Sequence, residues 1–386
     1  MNNWVGLACI SAAILSSVTV NAADENFDVY VFTNAIYDDN VFRVANSAEA
    51  LAQSGTTTRS DIETTFGVGA NVKIPVSRQQ FNVDAELRRT HFNRFDQLDN
   101  NNGELKGEWQ WAYASRASGT LGYEYERGLT DFFEFQSASR DTVVDQNFYG
   151  SAKIPVHPRW TVVLGSNARD VGYDERPELD RDTTAIYAEA LFQTRAKTFV
   201  GVRLQENETK FDNNGLVSND FDESQYSVVA RWNVTGKSRF AASLGRTKRD
   251  PRNAESGEFS GGTGQVEYRH IISGKTLVDF KLFRQTSLVD EIASLVVAEG
   301  AAIEPQWKIS PKLAFRGELR YEERDFRGST NSGRSDDLLS LRARLAYRLN
   351  RALTLNLGLG YQTRDSNVSD SEFDQTRLSA GIRFTI

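Results

Sequence analysis

Apolar and polar residues alternate along most of this chain, and the alternation stops and restarts on a regular beat. Leu353, Leu355, Leu357, Leu359 and Tyr361 share one phase, with Thr354, Asn356, Gly358 and Gly360 on the other. The set Leu339, Leu341, Ala343, Leu345, Tyr347 and Leu349 likewise opposes Ser340, Arg342, Arg344, Ala346 and Arg348. Ile62, Thr64, Phe66, Val68, Ala70, Val72 and Ile74 form a third apolar phase, and Tyr226, Val228, Ala230, Trp232 and Val234 a fourth. A helix would scatter these residues around its axis, whereas a strand puts each set on one face.

Tight turns rich in basic residues or proline punctuate the pattern near positions 77, 114, 156, 194, 235, 273, 310 and 349, so the spacing runs from 37 to 42 residues. Each interval holds two strand-length segments with a longer acidic or Asn-rich loop between them. This is the hairpin rhythm of a transmembrane β-barrel. It predicts eighteen strands, near 27–38, 62–74, 80–92, 102–113, 117–128, 142–155, 159–172, 182–194, 197–209, 226–234, 238–248, 262–273, 275–287, 295–307, 311–326, 339–349, 353–361 and 374–386. The segment 295–307 breaks alternation, which predicts a bulge. An even strand number puts both termini on the periplasmic side.

Two distributions agree with this register. Trp109, Trp111, Trp160, Trp232 and Trp307 all fall close to a short turn, where an aromatic girdle meets the membrane interface. Pro75, Pro155, Pro158, Pro305 and Pro311 sit at short turns, and Pro177 and Pro251 in long loops; a paired sheet excludes proline from strand centres.

Residues 1–22 read as a secretory signal peptide, with an apolar run from Trp4 to Val20 and a small-residue cleavage site ending at Ala22. The chain's single cysteine, Cys9, lies inside it, so residues 23–386 form the barrel domain with no disulfide or thiolate ligand. Mean hydropathy is -0.48, and no later apolar stretch reaches the roughly 20 residues of a membrane helix. A barrel hides its membrane signal in alternate residues. The formal net charge of -7 belongs to the loops and argues against nucleic acid.

Integral insertion in a Gram-negative outer membrane makes lipid and lipopolysaccharide the expected surroundings. The last strand carries Leu378, Ala380, Ile382, Phe384 and Ile386 on one face and resembles the terminal strand read by barrel-assembly machinery, although an aromatic residue is the more usual last residue.

The inner phase of a wide barrel lines a water-filled lumen unless loops fill it. Arg316, Arg320, Arg342, Arg344, Arg348, Arg377 and Arg383 take that phase, relieved mainly by Glu318 and Glu322. Asp84, Glu86, Arg88, Lys106, Glu108, Glu124 and Glu126 take it on three earlier strands. The expectation is a basic wall and a more acidic wall. Arginine gives planar, permanently charged contacts to carboxylates, which suits an anionic solute. Cross-strand pairing that merely stiffens the wall is the alternative.

Catalytic chemistry has little to work with. His91, His157 and His270 are the only histidines, and no serine is paired with one by sequence. The paired acids Asp84 and Glu86 form no specific glycosidase pattern. The runs 96–103 and 210–215 carry Asp and Asn that could hold Ca²⁺, yet neither has EF-hand spacing; flexible loop is the simpler reading. An enzyme and a cofactor are therefore not expected.

Tyr37, Asp38, Asp39, Asn40, Val41, Phe42 and Arg43 follow the first strand as an aromatic-acidic-Asn-apolar-aromatic-Arg segment. This segment resembles the opening of the EpsL-like outer-membrane proteins of exopolysaccharide operons. The resemblance implies a passive conduit for a secreted polysaccharide, working with periplasmic export machinery. Asp-Asp-Asn is also good turn chemistry at any strand exit. A general or small-solute diffusion channel and a barrel plugged by its own loop 39–58 are the other readings.

Overall fold

The computed structural model describes residues 26–133, 139–212, 220–252, 258–289, 294–327 and 333–386. The expected leader and Cys9 lie outside these residues, as do positions 213–215 of the run 210–215. The strands are β1 (Phe27–Asp38), β2 (Asp61–Val76), β3 (Gln79–Phe92), β4 (Asn100–Tyr113), β5 (Ala117–Leu129), β6 (Thr142–His157), β7 (Trp160–Tyr173), β8 (Arg181–Gln193) and β9 (Phe199–Phe211). They continue as β10 (Phe221–Asn233), β11 (Ser238–Pro251), β12 (Phe259–Ser273), β13 (Thr276–Val289), β14 (Ser294–Lys308), β15 (Leu313–Arg327), β16 (Ser335–Arg348), β17 (Leu353–Ser366) and β18 (Phe373–Thr385).

Each strand pairs antiparallel with its chain neighbours, and β1 also pairs with β18, from Tyr30 opposite Thr385 to Asp38 opposite Arg377. The result is a closed eighteen-stranded barrel, and closure removes the free sheet edge at the chain ends. Leu357, Leu345, Val228, Phe66 and Leu282 stand exposed on the outer face. A lipid-facing wall accounts for so much bare apolar surface. Trp109, Trp160, Trp232 and Trp307 are also exposed, near the short-turn rim.

Several strands run further toward the long-loop rim than alternation predicts: β16 starts at Ser335 and β17 ends at Ser366. Apart from Leu338, which packs inward with Phe133 and Phe373, their added residues are polar, because a strand can stay paired above the apolar band. Proline leaves local marks. The β6–β7 register shifts between Pro155 and His157, and the β14–β15 ladder skips from Ile303 opposite Leu319 to Gln306 opposite Arg316, across Pro305.

The expected bulge in the segment 295–307 is not there, because β14 keeps one register against β13 from Trp307 to Ser294. Alternation fails for another reason: Leu295, Val296, Val297 and Ala298 are buried on both faces. Val296 and Ala298 pack with Phe283 and Phe326, while Leu295 and Val297 pack on Phe259. The run 96–103 also departs from the flexible-loop reading. Asp96–Leu98 forms a 3-10 turn with Leu98 fully buried, and β4 starts at Asn100.

The loop after β1 turns in over the barrel mouth. It carries a short helix, α1 (Ser47–Ser54), whose N-cap Asn46 accepts from the backbone N–H groups of Ala48 and Glu49. Gly55 closes it at φ 73, a left-handed conformation that glycine adopts without strain. Val41, Phe42, Val44 and Ala50 form a core with Phe92, Phe95, Leu98 and Phe132.

Candidate functional site

Shared register sorts the inner residues into rungs. Glu86 lies opposite Glu104 and Glu104 opposite Glu126, so three carboxylates cross β3, β4 and β5 in line. On the other side of the ring Arg316 lies opposite Arg344, and Glu318 opposite Arg342. Like charges set directly opposite destabilise a bare sheet, so these two rungs are not what rigidity alone selects.

The remaining sequence-named residues divide by partner. Asp84 faces Lys106, which is ion-paired with Glu124. Glu86 accepts from the Tyr30 hydroxyl at 2.8 Å and lies 3.4 Å from Arg88. Arg320 donates to Glu322 at 2.9 Å and stacks 4.2 Å over Phe283. Arg342 reaches Glu318 at 3.3 Å. Arg348 donates to the carbonyl of Pro311 at 3.1 Å, at the short-turn rim. Arg383 lies 3.4 Å over the ring of Tyr30. Arg377 bridges Asp38 at 3.3 Å and Glu63 at 3.1 Å. Glu322, two residues along the same strand, thus holds Arg320, and cross-strand pairing accounts for Arg377 and engages Arg342 with Glu318; Arg316, Arg342 and Arg344 cluster on two adjacent strands as the basic patch.

Arg377 belongs to the anchorage of the 37–43 segment. Asp38 is almost fully buried; its carboxylate accepts from the Asn40 backbone at 2.9 Å and from the Gln375 amide at 2.8 Å. Asp39 accepts from the Thr376 backbone at 2.7 Å. Asn40 donates to the carbonyls of Val44 and Asp374, each at 2.8 Å. Val41 and Phe42 enter the apolar core, and Tyr37 stays on the outer face. Arg43, at φ 52, donates to Gln375 and pairs with Asp131 of the loop 130–141. The segment is therefore a clasp that ties the first loop to β18 and to a second loop across the mouth.

That second loop supplies a residue the sequence reading missed. Phe133 is nearly buried, stacks edge-on against Phe373 at 5.6 Å, and has Arg43, Arg324 and Arg364 at 5.3, 4.8 and 5.0 Å from its ring centroid. Arg364 also donates to the Phe133 carbonyl at 2.7 Å. The segment 130–133 leaves β5 and sets Phe133 against β15, β17 and β18, on the far side of the lumen from β5. An aromatic residue in an acidic loop was a weak signal, because its partners come from strands nearly two hundred residues or more away in sequence.

Carboxylates order the long-loop rim. Asp99 accepts from the Phe92 backbone at 2.8 Å and from His91 at 2.6 Å. Burial would raise its carboxyl, but those two partners and Arg89 hold it below the usual range. Asp180 plays the same part for Tyr173, at 2.7 Å. There burial wins, helped by the nearby Asp212, Glu178 and Asp141, and its carboxyl is pushed up.

Near the short-turn rim, Ser238 Oγ lies 3.0 Å from His270 Nδ1 and 3.1 Å from the Tyr268 hydroxyl, a contact the sequence did not reveal. Among the described residues no carboxylate orients His270. His157 Nδ1 accepts from the Arg159 backbone at 3.2 Å, a turn contact. Among the described residues there is no group of three His, Cys, Asp or Glu able to hold a metal.

A closed eighteen-stranded barrel with an apolar outer wall, charged inner rungs and loops folded over one mouth defines an outer-membrane channel of the porin type. The chain belongs to the family described as "Putative beta-barrel porin 2", whose model matches residues 178–386, more than half of the sequence. It is similar in fold to the outer membrane protein OpdK of Pseudomonas aeruginosa, with 13% identity and a TM-score of 0.50 over 93% of this chain and 99% of that one. The structure of OccK2 (OpdF) of Pseudomonas aeruginosa in complex with glucuronate is similar at 10% identity and a TM-score of 0.50, over 94% and 98% of the two chains. No curated protein matches the sequence.

Proposed function

We propose that this channel passes an acidic saccharide, and that its use is the export of an anionic exopolysaccharide. The observation that carries this reading is the Arg316–Arg344 rung with Arg342 beside it, a concentration of fixed guanidinium charge on one wall. Such a patch replaces part of the hydration of carboxylates while weak, repeated contacts let them move on. A barrel of the same fold was crystallised with glucuronate, a sugar acid. The 37–43 segment adds the resemblance to EpsL-like proteins of exopolysaccharide operons.

In this reading the short-turn rim and both termini face the periplasm and its export machinery. The C-terminal strand is the segment taken up by barrel-assembly machinery, and lipid with lipopolysaccharide surrounds the outer wall. A second reading, uptake of small acids, is favoured by the mouth itself, where Phe42 and Phe133 lie buried under folded loops.

Planar-bilayer recording separates the two. Wild-type barrels are expected to prefer anions and to be blocked by acidic oligosaccharides, and Arg316→Gln with Arg344→Gln is expected to abolish the preference. Permeation by glucuronate without block by its oligomers would favour small-acid uptake. Unchanged ion selectivity in the folded double variant would sink the anion-channel reading altogether.

A further inference from the structure

The barrel wall opens between β12 and β13 at the long-loop rim. β12 starts at Phe259 and β13 runs to Val289, yet their ladder ends at Gly264 opposite Arg284. The same register continued would set Thr263 against Gln285, Gly262 against Thr286 and Gly261 against Ser287. Instead, among the described residues, 259–263 pair with β11 alone. β13 beyond Arg284 stays paired with β14 up to Val289 opposite Ser294, so the hairpin has left the wall as a unit.

It has moved inward. Leu295 and Val297, of outer phase on β14, pack on Phe259 of the inner face, and the Thr286 hydroxyl donates to Glu223 at 2.9 Å, three strands away. Glu223 lies opposite Arg249, and Arg249 opposite Phe259, so these three form one rung and the hairpin lies across it. Beneath, Arg249 is 2% exposed and stacks 3.3 Å over Phe221. Its Nε and Nη2 have no hydrogen-bond partner among the described residues.

The inward position therefore leaves two needs unmet: a strand edge without its ladder, and a buried guanidinium that faces Glu223 across the rung but whose Nε and Nη2 donors are unpaired. One movement answers both, since a hairpin swung out onto β12 completes the ladder and uncovers Arg249. We propose that Arg249 is a second anion site beneath this hairpin, and that the hairpin is a gate held outward when a sugar carboxylate binds there. A ligand that binds only the uncovered state shifts the population toward it. The site extends the anion-channel reading above without sharing its arginines.

Cysteine pairs trap each position in the purified barrel, in a background where Cys9, the chain's one cysteine, is absent. Gly262→Cys with Thr286→Cys is bridgeable only with the hairpin out; Phe259→Cys with Val297→Cys joins residues already in contact. The outward lock is expected to raise conductance and remove closures, the inward lock to silence the channel, and reductant to reverse both. In the outward lock, Arg249→Gln is expected to cause loss of the glucuronate block that the lock exposes.

An outward pair that never cross-links, beside an inward pair that does so without changing conductance, would show a fixed plug and overturn the gate. Undiminished glucuronate block in the outward-locked Arg249→Gln barrel would overturn the second site. If Arg316→Gln with Arg344→Gln removes anion preference in those same preparations, the proposed function stands while this inference falls.

Discussion

Phe133 shows how much of the mouth hangs on one side chain. Its ring faces three guanidinium groups and the edge of Phe373, while the sheet beneath needs none of these contacts. Each cation–π contact of a largely desolvated ring contributes about 0.5–2 kcal/mol. Phe133→Ala should therefore release the loop 130–141 and leave the barrel folded. The expected result is a larger single-channel conductance at unchanged heat-dependent gel migration, and an unchanged conductance would mean that this loop does not narrow the path. At this scale the sequence told direction but not company. Alternation puts Arg316 and Arg377 on the same phase, yet one joins a like-charge rung and the other is held by Asp38 and Glu63. Partners such as Glu63 lie some three hundred residues from Arg377, and no local pattern reports them.

Elements were far more legible, because a barrel strand is a local statement. Leu353 to Tyr361 alternate cleanly, and β17 begins at Leu353 as the pattern predicts. The polar extensions at the long-loop rim were not legible, since above the lipid band alternation is no longer required. The run Leu295-Val296-Val297-Ala298 did carry a signal, but a broken period has two causes. A bulge shifts register, whereas burial on both faces keeps it, and the second holds here. The two faces of β17 give a direct test. Leu357 is 58% exposed on the outer wall, and its neighbour Asn356 points inward. Leu357→Lys should cost about 2–4 kcal/mol of folding stability in bilayers, as a lysine near the midplane does. Asn356→Lys should cost far less, because the lumen hydrates it. Urea titration of both variants refolded into vesicles measures the difference, and equal costs would mean that the assigned faces are wrong.

The whole molecule sets the two charged rungs against each other. Glu86, Glu104 and Glu126 cross β3 to β5, and Arg344 and Arg316 cross β16 and β15 on another arc of the same ring. The lumen therefore carries a transverse field, and which ion passes depends on the balance of its sides. Removing one wall should tip that balance: Glu104→Gln with Glu126→Gln should strengthen anion preference, and Arg316→Gln with Arg344→Gln should abolish it. Salt decides whether the field or direct contact is responsible. The Debye length falls from about 10 Å at 0.1 M to about 3 Å at 1 M, so a field that acts across the lumen should be largely screened at the higher concentration. Reversal potentials of the wild type and both variants should then converge between 0.1 M and 1 M KCl. If the differences persist undiminished at 1 M, ions are being selected by contact with individual side chains, and the opposed walls matter only as places to hold them.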